Sequence, residues 1–217
     1  MRLSNGEVLL HYPLDLHVLT QGWYYNNGSL HQAADWRTQN GTDYKRPVYA
    51  AEDGTVDQTQ NWDGHTKTGM QSYGNMVRIQ HAPYKGKTLQ TRYAHLSSYC
   101  VKVGQKVKEG ELIGYSGVTG NVYGAHLHFE VILNGKRTNP LTWLSDDFTL
   151  ATGKEYTFQP GEHSVVVPDK PDDDGTGKLQ VITIGPVSQG DADAVLAVCR
   201  ERGLTDAGLY KSEWAEV

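Results

Sequence analysis

The chain has 217 residues, enough for one domain of ordinary size and a smaller appendage. Its hydrophobic content of 38% supports a packed core, and its 24 glycines favour a loop-rich β protein over a helical bundle. A formal net charge of −5 gives no electrostatic case for a nucleic-acid or anionic-membrane partner, and neither is predicted.

The sequence shows neither a membrane-spanning segment nor a secretion signal, and it contains two cysteines. No stretch approaches the roughly 18 apolar residues of a membrane span, and the first seven residues lack the apolar core of a secretion signal. We therefore expect either release by another route, as for a phage or prophage lysin that leaves through a membrane pore, or a chain that has lost its signal. Cys100 and Cys199 fall in different predicted domains, so both are expected to be free thiols without a catalytic role.

Residues 1–30 are predicted to form loops rather than long elements. Residues 21–29 are rich in Gly, Asn and Tyr, a composition that forms turns rather than long elements. His31 and Asp35 follow, four residues apart, and such a pair taken alone could be a surface coincidence. Asp43 lies in a turn-like stretch and is interpreted as a turn residue.

Between residues 47 and 117, short β-branched or alternating runs recur between Gly-containing turns. This spacing is typical of an all-β sheet or barrel, and it predicts strands at 48–51, 76–80, 88–94, 101–107 and 112–116. The polar loop 60–69 carries Trp62 and forms either a groove wall or a solvated loop whose Trp packs on its own base. His65 and His81 have no partner at ligand spacing, so we expect solvated loop histidines.

A group of histidines and one carboxylate forms the chemical centre of the sequence. His126 and His128 lie in a strand-like run, where a side-chain period of two puts both on one face. His95 stands between this run and the pair His31 and Asp35. Imidazole nitrogen and carboxylate oxygen are the ligands that zinc takes in hydrolytic sites, where three protein ligands leave a fourth position for water. The three segments together predict a metal centre.

The order and spacing of these residues resemble the LytM/lysostaphin-type zinc peptidases of family M23, which cut peptidoglycan peptides. Segments 47–56, 73–77, 101–110 and 113–117 are similar to the framework of that family, in the same order, and the resemblance covers about residues 20–145. It implies a mainly β fold, with an antiparallel sheet or barrel-sandwich-like catalytic domain over residues 1–150. The family's commonest form has Gly where this chain has Ala33.

The resemblance also implies a mechanism. One zinc ion would be bound by His31, Asp35 and His128. His126 would act as the general base, and His95 would serve as a donor to the oxyanion or as a proton carrier. The implied activity is that of a zinc metalloendopeptidase that hydrolyses stem peptides or cross-bridges of the bacterial cell wall and leaves the glycan intact. The resemblance does not imply which peptide bond is cut.

Aromatic residues near these segments are candidates for the substrate groove. In similar proteins the segment before the first ligand lines one groove wall, which points to Trp23. Trp62 and Tyr123 are the other predicted groove residues, and the hydroxyl of Tyr24 or Tyr25 is a candidate to reach the reacting centre.

Three alternative functions fit part of the sequence. A catalytically silent relative that binds the wall or regulates other enzymes would usually lack ligands, whereas here all are present. A metal-dependent amidase would cut between sugar and stem peptide. Residues 101–114 also resemble the hairpin of lipoyl and biotinyl carrier domains, but they offer no modifiable Lys in the right context and leave the histidines unexplained.

After residue 150 the composition changes. Residues 151–178 are predicted to form an extended linker because Pro, Asp and Gly dominate their second half. The acidic run 172–174 lacks the later ligands of a calcium loop. Residues 179–217 predict a β-α-β unit that weakly resembles half of a SPOR peptidoglycan-binding domain. A unit of this size is marginal as an independent core, so we expect wall binding, docking on the catalytic domain or homodimerisation.

Overall fold

The computed structural model describes residues 1–3, 6–25, 27–145 and 148–151. The predicted unit 179–217, nearly all of the linker and Cys199 lie outside the described residues. Within these ranges, two 3₁₀ helices accompany the strands, Gly69–Tyr73 and Pro140–Trp143. The strands are β1 Val18–Gln21, β2 Ala34–Arg37, β3 Pro47–Tyr49, β4 Gly54–Gln60, β5 Asn75–His81, β6 Leu89–Tyr99, β7 Lys106–Val107, β8 Leu112–Ser116, β9 His126–Leu133, β10 Lys136–Thr138 and β11 Thr149–Leu150.

The strands form one mixed sheet in the order β11-β1-β2-β9-β6-β5-β4-β7. Strand β10 also pairs with β9, and β8 pairs with both β6 and β3. The pair β1 and β11 is parallel, whereas the other described pairs are antiparallel. The predicted mainly β fold is thus confirmed, and β2, β9 and β6 lie side by side at the middle of the sheet.

Alternation along β9 separates the core from a polar face. Leu127, Phe129 and Val131 are fully buried, together with Trp36 of β2 and Tyr93 of β6, which oppose them across the sheet. Because the side-chain period of a strand is two, His126, His128 and Glu130 emerge on the opposite face. The apolar half of the alternation anchors β9 in the core, and the polar half is available for chemistry.

The predicted strands correspond to β3, β5, β6 and β8 to within a few residues, but the prediction for 101–107 is wrong over most of its length. Only Lys106–Val107 pairs as a strand, because Gly104 turns the chain with φ at 86°.

Asn134 and Gly135 have φ of 50° and 76° and close the hairpin between β9 and β10. Such double positive φ is what a two-residue hairpin turn requires.

His81 corrects a second expectation. The prediction of a solvated loop histidine is wrong, because His81 is the last residue of β5 and its side chain points into the core, 3% exposed. Its Nδ1 donates to the Asp53 carbonyl at 3.0 Å, and its Nε2 lies 2.8 Å from the Thr91 hydroxyl. His65 is exposed as predicted, and Cys100 is an exposed free thiol.

No helix within the described ranges has the length and apolar character needed to cross a membrane.

Candidate metal centre

The pairing of β2 with β9 places the first elements of the centre. Their register sets Asp35 opposite His128, so both side chains project from the polar face. The Nδ1 atom of His128 lies 2.9 Å from Asp35 Oδ1. His31, in the loop before β2, brings its Nε2 to 3.3 Å from Asp35 Oδ2, and Nε2 of His126 lies 3.7 Å from the same oxygen. One carboxylate therefore stands among three imidazoles.

Three of the imidazoles are held in the same way. Each Nδ1 lies against a backbone carbonyl, in the pairs His31 with Gly22 at 2.9 Å, His95 with Thr119 at 2.8 Å and His126 with Gly124 at 2.8 Å. Because a carbonyl can only accept, each Nδ1 carries the proton, and a neutral ring presents the lone pair of Nε2. The backbone thus selects the tautomer that can bind a metal or accept a proton.

A β-bulge brings His95 to the centre. Between the pairs Tyr93 with Val77 and Leu96 with Asn75, two residues of β6 oppose one of β5. His95 occupies the bulge with φ at 61°, a conformation that few non-glycine residues adopt. Regular alternation would send His95 to the core face with Tyr93. The bulge instead sets its ring 4.8 Å from that of His126.

His128 is held between two carboxylates. While Nδ1 faces Asp35, Nε2 lies 3.3 Å from Oε1 of Glu130, which is 1% exposed. Glu130 also accepts hydrogen bonds from Arg92 Nη1 at 2.7 Å and from the Tyr73 hydroxyl at 2.8 Å. The ring of His128 is therefore fixed in the orientation that turns Nδ1 toward Asp35.

Burial and charge set the protonation of these groups. Burial is the main cause that lowers the pKa of His95 to about 3, and it also lowers the pKa of His31. Burial opposes ionisation of Asp35, but the hydrogen bond and charge of His128 outweigh it and lower the carboxyl pKa. At neutral pH, Asp35 is therefore a carboxylate and His31 and His95 are neutral imidazoles.

Among the residues that the structure describes, two sets of three groups are close enough to hold one metal ion. They are His31, Asp35 and His128, and, sharing a residue with the first, His95, His126 and His128. The ligand atoms within each set lie within 4.8 Å of one another. The first set combines two imidazoles with one carboxylate, the donor chemistry of catalytic zinc sites. All five histidine and aspartate residues predicted for the centre are brought together.

The predicted groove residues are distributed unevenly around the centre. The Tyr25 ring lies 4.9 Å from the His31 ring, whereas Tyr24 makes a β-bridge with Leu30. The Trp23 carbonyl accepts from the His31 amide at 2.8 Å. The Trp62 indole donates to the carbonyl of Thr66 in its own loop. Tyr123, fully exposed, precedes the glycine that anchors His126.

Several functional candidates were not predicted from the sequence. Glu130, Arg92, Tyr73 and Arg137 form a hydrogen-bonded group behind His128. The period of two does place Glu130 on the face of His128, and that signal could have identified it. The contacts of Tyr73 and Arg137 depend on long-range pairing and carry no local signal. Ala33 is accommodated without positive φ, which falls instead on Gln32, at 67°.

The fold and the site define a mainly β protein with a candidate metal centre of four histidines and one aspartate. The sequence matches Peptidase family M23 over residues 29–140, and the chain belongs to this family. It is 46% identical over 106 residues to peptidoglycan DD-endopeptidase ShyA of Vibrio cholerae, covering 47% of this chain and 22% of that protein. It is 35% identical over 160 residues to peptidoglycan DD-endopeptidase ShyC of the same organism, covering 70% and 34%.

The chain thus spans about a fifth and a third of the length of these two relatives. Among solved structures, it is similar to the catalytic domain of the antimicrobial peptidase lysostaphin from Staphylococcus simulans. The TM-score is 0.45 at 30% identity, and the match covers 58% of this chain and 91% of that one.

Proposed function

We propose that this protein is a zinc-dependent endopeptidase that hydrolyses peptide bonds in bacterial peptidoglycan and acts at the cell wall. The observation that carries the proposal is the convergence of His31, Asp35 and His128 on one face of the sheet, with His95 and His126 beside them. Membership of family M23 supports the reaction class. The complete set of ligands argues against a catalytically silent relative.

His31, Asp35 and His128 are the proposed zinc ligands. Two imidazole nitrogens and one carboxylate oxygen fit zinc and leave a coordination position open. Burial opposes a charge on His128, but the hydrogen bonds and charges of Asp35 and Glu130 outweigh it and raise the pKa of His128 to about 9, so this ring would lose a proton as zinc binds. The backbone bond to Gly22 orients His31, and Glu130 orients His128, as outer partners of metal ligands do. Bound there, zinc supplies Lewis-acid chemistry, which polarises a peptide carbonyl and lowers the pKa of water toward neutrality.

His126 is the proposed general base. Its Nδ1 proton is engaged by the Gly124 carbonyl, so Nε2 is free to take a proton from the attacking water. Nε2 also lies 3.7 Å from the Asp35 carboxylate, which stabilises the imidazolium that forms. The same nitrogen can then return the proton to the leaving amine.

His95 is proposed to act on the carbonyl oxygen. Its neutral ring presents Nε2 as an acceptor, and its ring lies 4.8 Å from His126. The proton that His126 takes from the attacking water can pass to this Nε2, so that His95 donates to the developing oxyanion while it carries the proton and then returns it to His126 for the leaving amine. Of the two candidate tyrosines Tyr24 and Tyr25, Tyr25 has its ring beside His31 and is proposed to add a hydroxyl, and Tyr123 and Trp23 are proposed to contact substrate.

The bond proposed to be cut is the D,D cross-link between stem peptides. This assignment draws on the two relatives ShyA and ShyC, both named as DD-endopeptidases. We further propose that residues 179–217 bind the wall or a second copy of the chain. That part of the proposal is supported by sequence pattern, since the segment lies outside the described residues. Release from a producing cell as a phage lysin is likewise proposed from sequence.

Mass spectrometry of fragments released from purified peptidoglycans of several cross-link types tests the function. We expect new amino termini within D,D cross-links, loss of release with a zinc chelator and recovery when zinc is restored. Cleavage between sugar and stem peptide would establish an amidase instead. No release from any wall by the folded, zinc-loaded protein would overturn the proposal.

A further inference from the structure

The guanidinium of Arg137, on β10, connects three side chains around the metal centre. Its Nε donates to Glu130 Oε1 at 2.8 Å, and its Nη1 donates to Gln32 Oε1 at 2.9 Å. Its Nη2 donates to the Tyr73 hydroxyl at 2.5 Å. Arginine is suited to this geometry because its donors form a rigid planar fork.

Two of these partners belong to different ligand segments. Glu130 contacts Nε2 of His128, while Gln32 directly follows His31. Gln32 has φ of 67°, so the backbone beside His31 is held in a sparsely populated conformation that its surroundings must maintain. Within the described residues, Arg137 thus joins the segment that carries His31 to the carboxylate that orients His128.

The charge of Glu130 does not depend on Arg137 alone. Glu130 is buried, and its second oxygen, Oε2, accepts a hydrogen bond from Arg92 Nη1 at 2.7 Å. Arg92 lies on the neighbouring strand β6. Loss of Arg137 would therefore leave Glu130 paired and the sheet intact. The specific loss would be the connection between Gln32 and Glu130, which sets the separation of the two ligand segments.

We propose that Arg137 is a positioning residue that raises the zinc affinity of the centre by bracing the His31 segment against the Glu130–His128 pair. This inference rests on the proposed function, because it assumes that His31 and His128 are zinc ligands. Outer partners of metal ligands typically change metal affinity by about 10–100-fold.

The direct test compares Arg137→Met with Lys136→Met in the full-length protein. Both variants lose one positive charge on β10. Lys136, however, is exposed and takes no part in the hydrogen bonds that join Arg137 to Glu130, Gln32 and Tyr73. Zinc affinity is measured by competition with a chromophoric chelator, and the visible absorption of bound Co²⁺ reports ligand geometry. We expect an increase in zinc Kd of about 10–100-fold for Arg137→Met, with an altered Co²⁺ spectrum, and no change for Lys136→Met.

Two further variants keep the proposal testable if Arg137→Met does not fold. Gln32→Asn tolerates positive φ but is too short to reach Arg137, so zinc binding should weaken while the ion pair with Glu130 remains. Arg137→Lys retains the charge without the fork and should lie between wild type and Arg137→Met. A zinc Kd within twofold of wild type in the folded variants would overturn the inference alone. Failure of wild type to bind zinc would overturn the proposed function as well.

Discussion

Single side chains in the centre divide into metal ligands and proton carriers, and the two groups should respond differently to mutation. Asp35 contacts three imidazoles, whereas Nε2 of His126 stands at the edge of the group. The Asp35→Ala variant should raise the zinc Kd by more than the about 100-fold that an outer-shell change can cost, and abolish cleavage.

The His126→Ala variant is the matched comparison. It should keep zinc binding close to wild type and reduce kcat by about 10²–10⁴-fold, the usual contribution of a general base. Zinc titration and initial rates on a cross-linked peptide measure the two effects. Loss of zinc from His126→Ala would reverse the assigned roles.

His81 supplies a prediction about pH and stability. Burial lowers its folded pKa to about 4, below the ordinary 6.5, so between these values the unfolded chain binds more protons. Stability therefore falls as pH falls, by about 2 kcal/mol between pH 7 and pH 5 from this group. Urea unfolding at both pH values should show that this difference shrinks in His81→Gln. The exposed His65→Gln serves as a control and should behave as wild type.

The sequence predicted the position of a site residue only where the regular strand period holds. The faces of Asp35, His126 and His128 follow from the strand period, and the structure places all three together. The same period would send His95 into the core, because it cannot anticipate the bulge at that position. It would also not reveal that the backbone fixes the tautomers of His31, His95 and His126.

Among the structural elements, the contact between the 3₁₀ helix Gly69–Tyr73 and the loop that carries Thr119 supports the bulge. A Cβ at Gly74, whose φ is 64°, would lie 2.3 Å from Thr119 Oγ1, and the Thr119 carbonyl holds His95. Gly74→Ala should therefore cost about 1–3 kcal/mol of overlap beyond the strain of positive φ, and should slow cleavage.

The Gly69→Ala variant measures the cost of positive φ without a steric overlap. Gly69 begins the same helix with φ of 57°, and an added Cβ there would meet no atom within 4 Å. Only the backbone cost of about 1–2 kcal/mol is expected, with activity retained. Equal losses of unfolding free energy and rate in the two variants would show that the contact with Thr119 does not matter.

Element existence was more predictable than element length. Runs of β-branched residues and glycine turns located β3, β5, β6 and β8, since these strands are anchored by local alternation. Strand β7 is short because Gly104 turns the chain, and its pairing with β4 depends on a distant segment. The role of β10 was missed because the contacts of Arg137 reach residues 32, 73 and 130.

At the scale of the whole molecule, the proposed ligands connect segments almost a hundred residues apart, so zinc should stabilise the fold. A ligand that binds only the folded state adds RT ln(1 + [L]/Kd), about 2.7 kcal/mol at 100 times Kd. The Tm of wild type should rise with zinc and fall with chelator, while that of His31→Ala should respond far less. A wild-type Tm that is indifferent to zinc would contradict folding-coupled binding.

The central claim is that His31, Asp35 and His128, rather than the overlapping set of three histidines, hold the metal. Anomalous diffraction at the zinc edge, from crystals of the zinc-loaded protein, tests it most directly. We expect one peak about 2.0–2.2 Å from His31 Nε2, an Asp35 oxygen and His128 Nδ1, with His95 and His126 unligated. A peak ligated by His95 and His126, or no peak at this face of the sheet, would contradict it.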